Sequence, residues 1–164
     1  MYVKKVWIVM VLMTLLTGCG AAQTFETVDD VYSPQEAPEP KQVSLTLPED
    51  AAAQTMESDQ GTLYFCDGYE IMVETLSGGD INSTLKNLTG FSRDALTVME
   101  TSVSDVTRYE CVWTAAGEAG DQVGRAVILD DGSYHYCLSV MAHSNDAGSL
   151  QESWQELLMS FDVN

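Results

Sequence analysis

From Val43 onward, apolar residues recur with two different periods, and the changes of period divide the chain into elements. "VSLTLPED" alternates briefly and stops at Pro48, as a short strand would. "TLYFCDGYEIMVETL" holds two alternating runs joined by Asp67-Gly68, which predicts a hairpin with a type I′ turn. Tyr64, Cys66, Tyr69, Ile71 and Val73 then share one face, and Leu63, Phe65 and Met72 the other.

The period next lengthens to that of a helix. In "SGGDINSTLKNLTGF", Ile81, Leu85 and Leu88 fall at i, i+4 and i+7, Asp80 stands at the N-cap and Gly90 at the C′ position. "LTVMET" reads as strand again, and Tyr109 to Ala142 as a three-strand meander. "RYECVWTA" sets Tyr109, Cys111, Trp113 and Ala115 on one face, and a glycine-bearing link, "AGEAGDQVG", leads to "RAVILD". A two-residue turn at Asp131-Gly132, flanked by Asp130 and Ser133, opens "YHYCLSVMA". Val127, Leu129, Tyr134, Tyr136, Leu138 and Val140 thereby share a face, opposite Ala126, Ile128, His135, Cys137 and Met141. Apolar residues on both sides predict a sheet covered at least partly on both faces. In the closing "SLQESWQELLMSF", Ser149 and Glu152 have capping-box spacing. Leu150, Trp154, Leu157, Leu158 and Phe161 form the apolar stripe of a final helix.

This order of elements, with "LTLPED" at its start and Trp-x-x-Leu-Leu-x-Ser-Phe at its end, resembles the PsbP-like domain over about Val43 to Val163. That family is known among bacterial lipoproteins as well as photosynthetic proteins. The resemblance implies an α+β fold, an antiparallel β-sheet flanked by helices on both faces in an α/β/α sandwich. It also implies a non-catalytic binding or assembly role, since most members have one; no family ligand residue maps onto this chain.

The N-terminal segment has a different character. Lys4 and Lys5 precede an apolar run, Val6 to Leu16, broken only by Thr14. A spanning helix needs about 20 apolar residues, and "LLTGCG" ends the run earlier, so the pattern is that of a signal peptide. Leu16-Thr17-Gly18-Cys19 resembles the bacterial lipobox, which implies cleavage after residue 18 and acylation of Cys19, palmitate-type chains included. About two such chains make a stable anchor. The expected organisation is a lipoprotein signal peptide over 1–18, a lipidated and disordered tether over 19–42, and a single domain over 43–164. The tether is acidic and holds Pro34, Pro38 and Pro40, a composition that cannot bury a core. As a flexible chain it reaches roughly 25–30 Å. The 122 residues after it suffice for one core without a metal.

Charge narrows the partners. Five basic residues face 25 acidic ones after residue 18, a balance of −20. That argues against nucleic acid, whose binding rests on Lys and Arg at phosphates, and against electrostatic attachment to anionic lipid. The acyl group is then the one expected membrane contact, with an unknown protein or small ligand as partner. Three cysteines follow Cys19, at 66, 111 and 137, with neither zinc-site nor CxxC spacing. If one disulfide forms, the aromatic faces of their strands favour Cys66–Cys111; three buried thiols are the competing expectation.

Catalytic chemistry finds little support. His135 and His143 would stand roughly 26 Å apart on one strand, too far to share a metal. There is no nucleophile elbow, P-loop or HExxH. Asp130-Asp131 is accounted for by its turn, and Asn145 and Asp146 in "HSNDAGS" by the approach to a helix cap rather than a calcium loop. No catalytic residue, metal ligand or cofactor is expected. The function anticipated is that of a membrane-anchored extracytoplasmic binding or accessory module. The alternatives are a small envelope-acting hydrolase whose carboxylates meet only in the fold, and a purely structural surface lipoprotein.

Overall fold

A computed structural model describes residues 38–55, 61–117 and 120–164. The expected signal peptide, Cys19 and most of the expected tether lie outside these residues. The elements are β1 (Val43–Ser44), β2 (Ala52–Thr55), β3 (Gly61–Cys66), β4 (Tyr69–Ser77), α1 (Ile81–Thr89), a 3-10 turn (Arg93–Ala95), β5 (Thr97–Val103), β6 (Val106–Gly117), β7 (Gly120–Asp130), β8 (Tyr134–His143), α2 (Ser144–Ala147), α3 (Gln151–Ser160) and β9 (Asp162–Val163). Strands β2 to β8 form one antiparallel sheet in the order β2-β3-β4-β8-β7-β6-β5, while β1 pairs with β9.

After the β3–β4 hairpin the chain crosses to the far edge through α1, then returns strand by strand until β8 docks on β4. The two central strands β7 and β8 are therefore apolar on both faces, as their near-continuous apolar runs require. On one face Ile71, Val127, Leu129, Tyr136, Leu138 and Val140 pack with Trp154, Leu157, Leu158 and Phe161 around α3. On the other, Tyr109, Cys111, Trp113, Ala126, Ile128 and Cys137 pack with Leu85 of α1.

Both faces were predicted residue by residue, but the helices are too small to complete two layers. Seven strands at about 4.8 Å make a sheet roughly 29 Å wide, whereas the nine residues of α1 and ten of α3 are about 14 and 15 Å long. The architecture is a mostly antiparallel, sheet-rich domain with few helices. Its flanks stay open: Met99, Val103 and Val112 at the β5–β6 edge are exposed, and a groove lies beside the end of α1.

The local predictions fare unevenly. Asp80 accepts from the Asn82 amide at 3.2 Å and Gly90 ends α1 in the left-handed region at φ 81°. The first hairpin pairs Cys66 with Tyr69 around Asp67-Gly68 as expected, yet only Gly68 has positive φ, so the turn is not type I′. In the second, Asp130 pairs with His135, which places the turn at Gly132-Ser133. That changes the register by two residues, which leaves every side chain on its predicted face. The "VSLTLPED" strand is only two residues long and pairs with the C-terminus rather than the main sheet. The Ser149–Glu152 capping box is absent. Ser149 Oγ instead donates to the Asp146 carbonyl at 2.7 Å, closing the α2 turn, and Leu150 occupies the N-cap of α3.

The chain enters this fold at Lys41. Its amide donates to Tyr136 Oη at 2.8 Å, its ammonium lies 3.6 Å from Asp131 Oδ2, and Gln42 exchanges backbone hydrogen bonds with Asn164.

Candidate functional site

The groove beside α1 encloses about 360 Å³, within the range of small-ligand sites. Its floor is sheet. Glu70, Met72 and Glu74 project from β4, with Leu63 of β3 opposite Met72 and Met141 and Ser139 of β8 on the other side. The far wall is Trp113 and Ala115 of β6, and the last turn of α1 supplies Asn87, Leu88 and Thr89.

Gly124 of β7 shapes the wall. It pairs with Trp113, and a Cβ there would stand 2.2 Å from Trp113 Cζ2 and 2.4 Å from Cε2. The indole thus lies across bare backbone toward β8, a close approach that only glycine permits.

Among the described residues no histidine, cysteine, lysine or arginine lines the groove. Glu70 and Glu74 are half-buried, and neither is engaged by a cation among the described residues. The negative end of the α1 dipole adds to their field. Glu74 is felt by its cross-strand partner: burial first, and then the Glu74 charge, push the Cys137 thiol up to about 12.

A second hollow of about 260 Å³ shares Glu70 and Met141 with the groove and gathers Cys66, Tyr69, His143 and Asp146 at one end of the sheet. Cys and His together invite comparison with a thiol nucleophile, which needs a lowered pKa. Here burial and the Asp50 charge push Cys66 up, against a hydrogen bond with Tyr69 that pulls it down. The chemistry is that of a packed thiol. A third hollow, about 280 Å³ at the β5–β6 edge, is lined mainly by Thr97, Met99, Val112, Arg125 and Leu158.

The expected Cys66–Cys111 disulfide is not formed; all three described cysteines are free. Cys66 packs against the α3-side cluster and Cys111 lies in the α1-side cluster. Their strands are four positions apart, roughly 19 Å at about 4.8 Å per strand, against a limit near 7 Å between bridged Cα atoms. Cys137 shares a cluster with Cys111, across the width of β7.

The histidines separate as expected along β8. His135 is 1% exposed, with Nδ1 2.8 Å from Thr84 Oγ1 and Nε2 3.6 Å from Asp130 Oδ2. The row Thr84–His135–Asp130 has the residue types of a hydrolytic triad, but it lies under α1 and lines none of these hollows. The remaining Asp130 and Asp131 oxygens serve the turn: Asp130 Oδ1 accepts from Gly132, and Asp131 Oδ1 from Ser133 and Tyr134. Among the described residues no three His, Cys, Asp or Glu side chains gather as metal ligands, and no helix is long and apolar enough to cross a membrane.

No family model matches the chain, and no curated protein matches it in sequence. Solved structures do match. Cyanobacterial PsbP (CyanoP) from Synechocystis sp. PCC 6803 aligns at TM-score 0.58 and 7% identity, over 74% of this chain and 86% of that one. The fold is PsbP-like. LpqN, involved in cell envelope biogenesis of Mycobacterium tuberculosis, aligns at TM-score 0.52 and 10% identity, over 79% of this chain and 87% of its own. A Bacteroides thetaiotaomicron protein aligns at 0.51 and 12% identity over 74% of this chain, which spans 45% of its length. At such identities the likeness is one of fold.

The groove was not foreseen from the sequence. Leu63, Met72, Trp113 and Met141 read there as face residues of their strands, and Glu70 and Glu74 carry no signal of their own. Gly124, which the sequence places at the end of the link "AGEAGDQVG", lies inside β7, and a strand glycine marks close approach of another group.

Proposed function

We propose that this protein is an extracytoplasmic lipoprotein whose PsbP-like domain is a non-catalytic binding or accessory module, with the α1 groove as its binding site. In this reading residues 1–18 are removed, acylated Cys19 holds the chain to the membrane, and residues 19–42 carry the domain away from the lipid. The observation that carries the binding role is the groove itself, an apolar floor with a carboxylate and amide rim and no histidine, cysteine or lysine among its described lining residues. The envelope-biogenesis role stated for LpqN fits an accessory role of this kind. The opposing reading, a small envelope hydrolase, requires carboxylates meeting across a cleft. Glu70 and Glu74 instead project from one strand, four residues and about 13 Å apart at their Cα atoms, on the same side of the groove rather than across it.

The anchor is tested by Cys19→Ser in cells of origin, which should leave the domain unanchored; a variant still membrane-bound at unchanged size would overturn the lipid anchor. The binding role is tested by NMR of the mature chain, whose two indole signals are Trp113 in the groove and Trp154 in the core. Envelope extract should move the Trp113 signal and leave Trp154 in place. Turnover of an envelope substrate with Trp113 unmoved would replace this reading by the hydrolase.

A further inference from the structure

We infer that the α1 groove takes an organic cation bearing an apolar body, held by its charge between Glu70 and Glu74 and by its body on Met72, Met141 and Trp113. The inference rests on the groove being the binding site and adds the chemistry of its ligand.

Two features select that charge. Glu70 and Glu74 stand at either end of Met72 on β4, with no cation engaged among the described residues. The C-terminal turn of α1, the negative end of its dipole, forms the adjoining wall. Lys86 stands in that same last turn and offsets part of the dipole, but its side chain is exposed and does not line the groove. An anion entering would meet like charge, and a neutral ligand would leave two half-buried carboxylates without a counter-charge. A cation satisfies them.

The apolar walls select the body. Methionine adapts to varied shapes, and two methionines flank the centre of the floor, facing a tryptophan fixed against Gly124. A volume of about 360 Å³ suits one ring or a short branched chain. A fully hydrated metal ion would gain nothing from these walls, and the groove offers it only two widely spaced carboxylates. The chemistry recognised is therefore that of a substituted ammonium, with its charge at the Glu rim and its hydrocarbon inside.

The test uses the mature chain and two probes of equal shape, phenyltrimethylammonium and its neutral isostere tert-butylbenzene, read by the Trp113 indole NMR signal. The cation should bind at least about tenfold more tightly than the isostere. Glu70→Gln and Glu74→Gln should each weaken the cation about three- to tenfold, as a partly desolvated charge pair predicts, and leave the isostere unaffected. Glu156→Gln, an exposed carboxylate on α3, should change neither, which separates the site from the general acidity of the surface. Equal affinity for both probes, or a cation indifferent to both glutamate variants, would overturn the charge assignment and leave the groove a binding site. Failure of both probes to move Trp113 would count against the groove itself.

Discussion

Arg108 ties the sheet to its final helix. Its Nη2 donates to the Leu158 carbonyl at 2.7 Å and its Nη1 to that of Phe161 at 3.3 Å, while Nε pairs with Glu110 at 2.6 Å. α3 ends without a left-handed cap, so these bonds satisfy carbonyls that would otherwise be orphaned. They also place a cation at the negative end of the helix. Arg108→Ala should lower unfolding stability by about 1–3 kcal/mol in urea titration. Arg93→Ala, which breaks an exposed pair with Glu100, should change it by less than about 1 kcal/mol. The cysteines give a second residue-scale expectation. Burial pushes the Cys111 thiol up to about 11 and, with Glu74, the Cys137 thiol up to about 12, so neither forms thiolate near neutrality. A thiol-specific reagent at pH 8 should leave both unmodified in the folded mature chain and reach half-buried Cys66 alone and slowly. Unfolding should expose all three, and reducing agent should not shift the thermal midpoint. A midpoint that falls under reduction would reveal a bridge.

At the scale of elements, period and face were legible and long-range order was not. Alternation in "YFCDGYEIMV" and "RAVILDDGSYHYCLSV" is enforced by burial on both sides, so faces survive even where the register of β7–β8 moves by two. "AAQT" forms β2 although alanine and glutamine carry little strand preference, because β3 offers it an edge. Ser149 and Glu152 matched a capping box by spacing, but the tertiary chain has a nearer use for Ser149 in the α2 turn. The disulfide expectation failed for a topological reason. Chain order places Cys66 and Cys111 on successive halves, whereas β8 and β7 are inserted between their strands. The groove was hidden for the same reason, since β3, β4, β8 and β6 meet only after that insertion, and α1 stops at Gly90 before covering them. Trp113 over Gly124 is the joint that links sheet and groove. Gly124→Ala should drive the indole off the strand and cost about 1–3 kcal/mol, the range for overpacking. It should also shift the Trp113 indole NMR signal while Trp154, on the opposite face, keeps its own. A variant with unchanged stability and an unchanged Trp113 signal would mean that the ring does not rest there.

At the scale of the whole molecule, a strongly anionic chain is closed at its entry point by one buried acid. Asp131 binds the start of the domain to its last hairpin: Tyr136 Oη donates to Oδ2 at 3.1 Å and itself accepts from the Lys41 amide, with the Lys41 ammonium alongside. Burial alone would raise the pKa of this carboxyl, but the Tyr134 and Ser133 amides, the Tyr136 hydroxyl and Lys41 outweigh it and hold it below the usual 3.8. The folded chain therefore accepts this proton at lower pH than the unfolded chain does. The stabilisation is complete above the unfolded value and fades as pH falls through the folded one. Asp131→Asn should cost about 1–2 kcal/mol near pH 6, and the gap to wild type should close as the pH is lowered to about 3 and below. Tyr136→Phe removes the hydroxyl that joins Lys41 to Asp131, so it should lower stability by about 1–2 kcal/mol at pH 6 and flatten the Asp131-dependent part of the profile. Urea midpoints of the three proteins at several pH values measure this directly. A gap between wild type and Asp131→Asn that stays constant down to pH 3 would show that the carboxylate charge does not hold the entry segment, leaving Lys41 fixed by the β1–β9 pairing alone.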